Sequence, residues 1–479
     1  MQFHPVYISA VLEPEYSFVS TYLKPYFLDA LTAHAMTVKR LEHPEVRARQ
    51  AEIASLEQAL IDLHTVAAPP YDPEVPDLFY ALNRRLERRL GPAPVSFLRL
   101  GLSRNDLDMT VYRMRARALL LELAGSLGVV QRALLAQAET HVHTVLIAYT
   151  HHQPGQPTSL AHYLLAVAFG LGRVADKLKG VYAALNECPM GAAALAGSSH
   201  LLDRDFTATL LGFAAPLPNT YDAVASSDWQ VEIVGLAQQG SLLLSRFVHD
   251  LLLWSSEGSF RLADGLTQGS SIMPQKRNPV ALEHARSRFS RVLGTAQAVL
   301  LSSHNIPFGD QLDSAPDVQS TLQLLFEQLG EAVSLLSASL EHGSFDTGLL
   351  AHKARQTDTT ATELANELVA SGGVHFQDAH RLSAELASAL HASGRLWQSL
   401  SSTDLTALGG PRVPAETLVK AVSPEAFVAR REGLGGPAPS ALKTQLARLR
   451  SELEARENWT AETSAALEHS TLVLRQVAD

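Results

Sequence analysis

The sequence predicts an all-α protein built around a bundle of long helices. Three observations carry the prediction. Leu and Ala are abundant, while aromatic residues make up only 6% of the 479 positions. Apolar residues recur at helical spacing over long segments, with few β-branched runs. Pro and Gly are concentrated between those segments. Helices of such length pack as bundles, with sites built from facing helices.

Taken in order, residues 28–46 (LDALTAHAMTVKRLEHPEV) read as an early helix. AAPPYDPEVPD (67–77) and GPAPVSF (91–97) break the N-terminal third. Residues 112–149 form one helical block, and 160–185 are apolar almost all round, as suits a buried helix. After a break at PLPNTYD (216–222), the helical pattern returns at 228–256, 279–303 and 317–340. Beyond 345 the helical segments shorten, and GGPRVP and GGPAPS appear. The expected units are a mostly helical N-terminal domain (1–105), a central long-helix domain (106–345) and a small helical C-terminal domain (346–479).

Composition narrows the function classes. Net charge is −10 and no long basic run is present, which argues against nucleic acid or an anionic membrane as partner. A single cysteine, Cys188, excludes an intramolecular disulfide and a multi-Cys metal site. It is compatible with a reducing cytoplasm, which is the expected location. The N-terminus lacks the basic and apolar regions of a signal peptide. The longest apolar run, YLLAVAFGLG (163–172), ends at Arg173, short of the roughly 18 residues a membrane span requires. No metal or cofactor is expected. HExxH, P-loop and GxSxG patterns are not evident.

Three polar segments stand out: GLSRNDLD (101–108), YTHHQPGQP (149–157) and GSSIMPQKRNP (269–279). Each has a plain reading. Ser, Asn and Asp before a helix make a cap. His151 and His152 can be ordinary surface or core histidines, and the third segment a solvated connector. Together, however, their chemistry is complementary. Ser103, Arg104, Asn105, Thr150, Lys276 and Asn278 are donors or cations suited to a small molecule with several carboxylates. His151 can carry a proton near neutrality, and Glu283, early in the following helix, can orient it. Ser270 and Ser271 follow Gly269, so main-chain N–H groups can turn inward, and Lys276 can supply positive charge to an activated serine. Met273-Pro274 stiffens the loop.

GSSIMPQKRNP resembles the signature of the fumarase/aspartase superfamily. SRND, YTHHQ, CPMGAAALAGSS, DRDFTATLLGF and LSRFVHDLLLWSS resemble its argininosuccinate lyase (and delta-crystallin) branch, in order. TAHAM and ATELANELV extend the likeness over most of residues 28–400. The resemblance implies three largely helical domains and a homotetramer with a central helix bundle. Each active site is then composite, with loops from three subunits. It implies a β-elimination that releases fumarate from an N-substituted aspartate. Ser270 is then the base on a mobile loop, and Lys276 and Asn278 polarise the carboxylate beside the carbon that loses its proton. His151, held by Glu283, assists at the departing group. Ser103, Arg104, Asn105, Thr150, Gln153, Ser271, Met273 and Asp310 complete the substrate-binding set.

The departures from that branch gather elsewhere. Leu102 replaces a cation, and Ser227 stands where arginine is usual. Over 307–318 (PFGDQLDSAPDV), Asp310, Ala315 and Val318 stand where tyrosine, glutamine and lysine hold the amino-acid end of argininosuccinate. The expected function is therefore a fumarate-releasing C–N lyase. Its substrate is argininosuccinate or, alternatively, an N-substituted aspartate with another leaving amine, of the ethylenediamine-disuccinate or secondary-metabolite type. A non-catalytic, crystallin-like paralogue is the reading from a different class.

Overall fold

The computed structural model describes residues 3–309, 316–409 and 413–476. Long helices dominate: α1 (Lys24–Lys39), α2 (Arg104–Thr140), α3 (Leu160–Leu185), α4 (Asp228–Ser256), α5 (Val280–Ser302), α6 (Pro316–Glu341) and α7 (Pro439–Gln476). Local chemistry sets several of their boundaries. Ser103 and Asp106 form a reciprocal capping box at the start of α2. Ser159 caps α3 by accepting the His162 N–H at 3.1 Å.

Cross-links between helices fix their directions. Near the start of α2, Arg113 donates to the Ala184 carbonyl at the end of α3 and to Ser226 just before α4, both at 2.9 Å. At the other end of α2, Gln137 donates to the Leu340 carbonyl at the end of α6 (2.8 Å). Ser303, past the end of α5, returns to Gln230 near the start of α4 (3.4 Å). The bundle helices therefore alternate in direction, although the connections between them are long.

One apolar core runs through the molecule. N-terminal residues such as Leu28, Leu56 and Phe97 share it with Leu120, Leu164, Val248, Phe289 and Leu336 of the bundle. Leu442, Leu446, Leu449 and Leu453 of α7 join the same core. The last helix therefore packs on the bundle, against α2 and α3. A second, smaller cluster holds Leu364, Leu368, Ala379, Leu390, Trp397 and Leu418. Within the expected C-terminal unit, the small cluster and the final helix thus belong to different cores. Among the described residues, α2 is the one helix long and apolar enough to cross a membrane; 61% of that window is buried inside the fold, as for a core helix.

One expected helix is corrected. The block 112–149 is helical only to Thr140. The chain then forms an antiparallel ribbon, β1 (Val145–Thr150) with β2 (Gln153–Ser159). VLIAYT is rich in β-branched and aromatic side chains, a strand signal that the helical reading overrode. Pro154 and Pro157 are tolerated because a two-stranded ribbon leaves edge positions free. Strands among the described residues occur as four such two-stranded pairs, so the helical architecture is not strand-free.

Candidate active site

The first polar segment sits at the N-terminal end of α2. The Ser103 oxygen accepts the Asn105 N–H (3.3 Å), and Asp106 accepts the Ser103 N–H (3.0 Å). Capping and site-building are thus compatible here, because the cap directs Ser103, Arg104 and Asn105 around one turn. Asp106 is fully buried and also accepts the N–H groups of Gly191 (2.8 Å) and Ala193 (3.0 Å). It ties this turn to a loop whose Gly191, Ala193, Leu195 and Gly197 all have positive φ. Burial pushes the Asp106 carboxyl up to about 6, although the N–H groups of Ser103, Ala193 and Gly191 pull it down. Asp106 was missed as a site-organising residue. The S-x-x-D capping pattern was the available signal.

Arg104 differs from the expectation of a free carboxylate binder. Its guanidinium makes a forked pair with Asp108 (2.9 and 3.0 Å) and a further pair with Asp77. The rings of Phe27 and Phe79 lie 5.8 and 5.4 Å away. Burial opposes the charge, but Asp108 and Asp77 outweigh it and hold the group protonated. Glu15 lies close by. Burial raises its carboxyl to about 7 against the pull of Arg104, and Asp108, Asp77 and Asp317 add to the rise. One cation is therefore surrounded by several carboxylates.

The second segment is the tip of the β1–β2 ribbon. His151 and His152 form its two-residue turn with φ of 52° and 60°, the mirror-image type that matches strand twist. Glycine or asparagine is the usual occupant, so two histidines there are held in a sparsely populated region. Thr150 and Gln153 pair across the base of the turn, and all four residues are exposed. Gly155 is the extra residue at a register shift; a Cβ there would lie 3.0 Å from the Ala148 carbonyl oxygen.

The third segment is a loop closed by a short ribbon, β3 (Gln268–Gly269) against β4 (Arg277–Asn278). The Ser270 hydroxyl oxygen accepts the N–H groups of Met273 (3.1 Å) and Ile272 (3.4 Å). Lys276 N–H closes the turn onto the Met273 carbonyl (3.1 Å), and Arg277 donates to the Pro274 carbonyl (2.9 Å). Ser271, Met273 and Lys276 are exposed, and Ser270 and Asn278 are half-buried. Glu283 lies in the first turn of α5, exposed.

The three segments do not converge within one chain. The turn Ser103–Asn105 begins α2. The histidine ribbon follows the other end of α2, and the serine loop lies there too, because Phe345 packs on His141 (5.3 Å) and pairs with Phe260 just after α4. A helix of 37 residues is about 55 Å long. Among the described residues no hydrogen bond joins His151 to Glu283. Asp310 and Ala315 lie outside the described residues. Val318 is fully buried in the main core.

Residues 21–294 match the Lyase family, and residues 358–429 match the argininosuccinate lyase C-terminal family. "Argininosuccinate lyase 2" of Agrobacterium fabrum is 33% identical over 97% of this chain and 95% of its own length. The chain belongs to the argininosuccinate lyase branch of the fumarase/aspartase superfamily. A second relative of this branch, the argininosuccinate lyase of Thermus thermophilus, is 36% identical over 80% of this chain and 83% of its own length. Among solved structures, an EDDS lyase in complex with formate superposes with a TM-score of 0.86 at 25% identity, covering 100% of this chain and 96% of that one. The class II fumarase of Schistosoma mansoni shares the fold alone: TM-score 0.68 and 17% identity, covering 84% of this chain and 90% of that one. At the α2 end, Asp77, Asp108 and Glu15 gather around Arg104.

Proposed function

We propose that this fumarate-releasing carbon–nitrogen lyase cleaves an N-substituted aspartate whose leaving amine is cationic and lacks an α-carboxylate. The Ser270 oxygen, facing two main-chain N–H groups, carries the catalytic half of the reading. Such donors stabilise an oxygen anion more than a neutral hydroxyl, which suits a serine that must take a proton from carbon. Lys276 and Asn278 hold the adjacent carboxylate, where negative charge accumulates as the C–H bond breaks. His151 serves the departing nitrogen, with Glu283 as its orienting partner. Ser103, Asn105, Thr150 and Gln153 bind the succinyl carboxylates, with Ser271 and Met273 on the closing loop. Arg104 contributes mainly by fixing this turn, since Asp77 and Asp108 already engage it.

The leaving-group preference follows from charge. Asp77 and Asp108 outnumber the single guanidinium of Arg104 at the α2 end, and Glu15 beside them holds a carboxyl that burial raises to about 7. An α-carboxylate on the leaving group would add a third negative charge to the two succinyl carboxylates bound beside these acids, while an amine or guanidine would offset them. The likeness to an EDDS lyase supports a leaving amine other than arginine.

Assembly enters the proposal through geometry. With the polar turn and the serine loop at opposite ends of a long helix, one complete site requires a second, antiparallel copy. A tetramer supplying loops from three chains satisfies that requirement. The test is fumarate consumption with a panel of amines, beside kcat/KM for argininosuccinate and its analogue lacking the α-carboxylate. We expect one or more amines to react and the decarboxylated analogue to win. Efficient turnover of argininosuccinate above every such analogue overturns the leaving-group reading. No reaction with any amine or substituted aspartate favours the non-catalytic paralogue.

A further inference from the structure

We propose that the cleft between α2, α3 and α7 binds a small organic carboxylate with an apolar body, at a site separate from the catalytic loops. The cleft encloses about 280 Å³ and lies against residues 124–132 of α2, remote from both ends of the bundle. Its charge is the first reason. Arg456, nine-tenths buried, donates to Asp176 (2.9 Å) and Gln131 (3.1 Å), and its buried Nε has no partner. Lys179 lies 5.4 Å from the Trp459 ring centre, and Arg132 pairs with Glu457. Arg132, Lys179 and Arg456 face Glu457 and Asp176, an excess of one positive charge in a chain of net charge −10.

Shape is the second reason. Ala124, Leu178 and Leu453 line the cleft beside the Trp459 indole, a wall that suits a ring or short hydrocarbon better than a bare inorganic anion. Two glycines interrupt α2 here, although glycine is the poorest helix former after proline. Gly128 has a packing reason: a Cβ would lie 3.3 Å from the Glu457 carboxylate. Gly125 has none, since nothing lies within 4 Å of a Cβ built there. What its missing side chain leaves open is the cleft. The carboxylate of the ligand meets Lys179 and Arg456, and its apolar body covers the indole and leucine wall.

Benzoate is a suitable probe, with cyclohexylamine and inorganic phosphate as comparisons. The full-length protein is titrated by calorimetry and by tryptophan fluorescence, with Trp459→Phe used to assign the signal. We expect saturable benzoate binding, weakened roughly tenfold by Lys179→Met, the loss of one charge-assisted contact. Gly125→Leu fills the cleft while improving helix propensity, so it should stay folded and lose binding altogether. No saturable binding of benzoate overturns the proposal. So does binding unchanged in both variants, or equal binding of cyclohexylamine or phosphate.

Discussion

The Ser270 hydroxyl oxygen accepts the Met273 main-chain N–H at 3.1 Å. That bond, with the longer one from Ile272, places the oxygen where a serinate would be stabilised before substrate arrives. Ser270→Ala should leave the fold unchanged, because the loop is largely exposed and outside the core. Turnover should fall by about 10²–10⁴-fold, the usual value of a general base. Circular dichroism and fumarate release check the two parts. Near-normal turnover removes Ser270 from the mechanism.

The histidine turn separates backbone strain from chemistry. His151→Asn keeps a residue that tolerates positive φ but removes the imidazole, so the ribbon should persist while kcat drops by about 10²-fold or more. His152→Gly relieves the same backbone at the neighbouring position. It should raise stability by about 0.5 kcal/mol, the left-handed penalty partly offset by glycine's extra chain entropy. Urea midpoints and steady-state rates on both variants decide the matter. A His151→Asn enzyme with full activity would show that the imidazole plays no chemical part.

Because the two polar ends of α2 are about 55 Å apart, variants disabled at opposite ends should complement each other. Asn105→Ala and Ser270→Ala proteins, unfolded together and reassembled, should regain activity that neither has alone. Hybrid oligomers would contain some sites with both intact loops. Confirmed hybrids with no recovered activity would speak against shared sites.

Asp106 supplies a pH test. Burial raises its carboxyl to about 6 in the folded chain, above its ordinary value of 3.8. The fold therefore favours the protonated form. That contribution is fully present below about pH 4 and is lost as pH rises through about 6. Asp106→Asn stays neutral throughout. Wild-type stability relative to this variant should fall by roughly 2 kcal/mol between pH 4 and 7. Paired urea titrations at the two pH values measure it, and a constant or rising difference contradicts the assignment.

Much of this protein was legible in its sequence. Helical periodicity located 160–185, 228–256, 279–303 and 317–340 almost to the residue, because a buried helix repeats one pattern over many turns. The polar loops were legible too, since hydroxyls, histidines and cations stand out between apolar runs. The β1–β2 ribbon was not: its strands are short, two-stranded and interrupted by prolines, and a long preceding helix masks where they begin. Nor could periodicity show that α7 returns to the main core, for an apolar stripe does not name the surface it will cover. Arg104 makes the point most sharply. SRND marks it as a cation at a site, but its engagement by Asp77 comes from a residue 27 positions away. The same holds for the separation of SRND from the serine loop. Residue types determine which chemistry is available; the lengths and directions of packed helices decide which groups can meet, because a rigid helix holds its two ends apart.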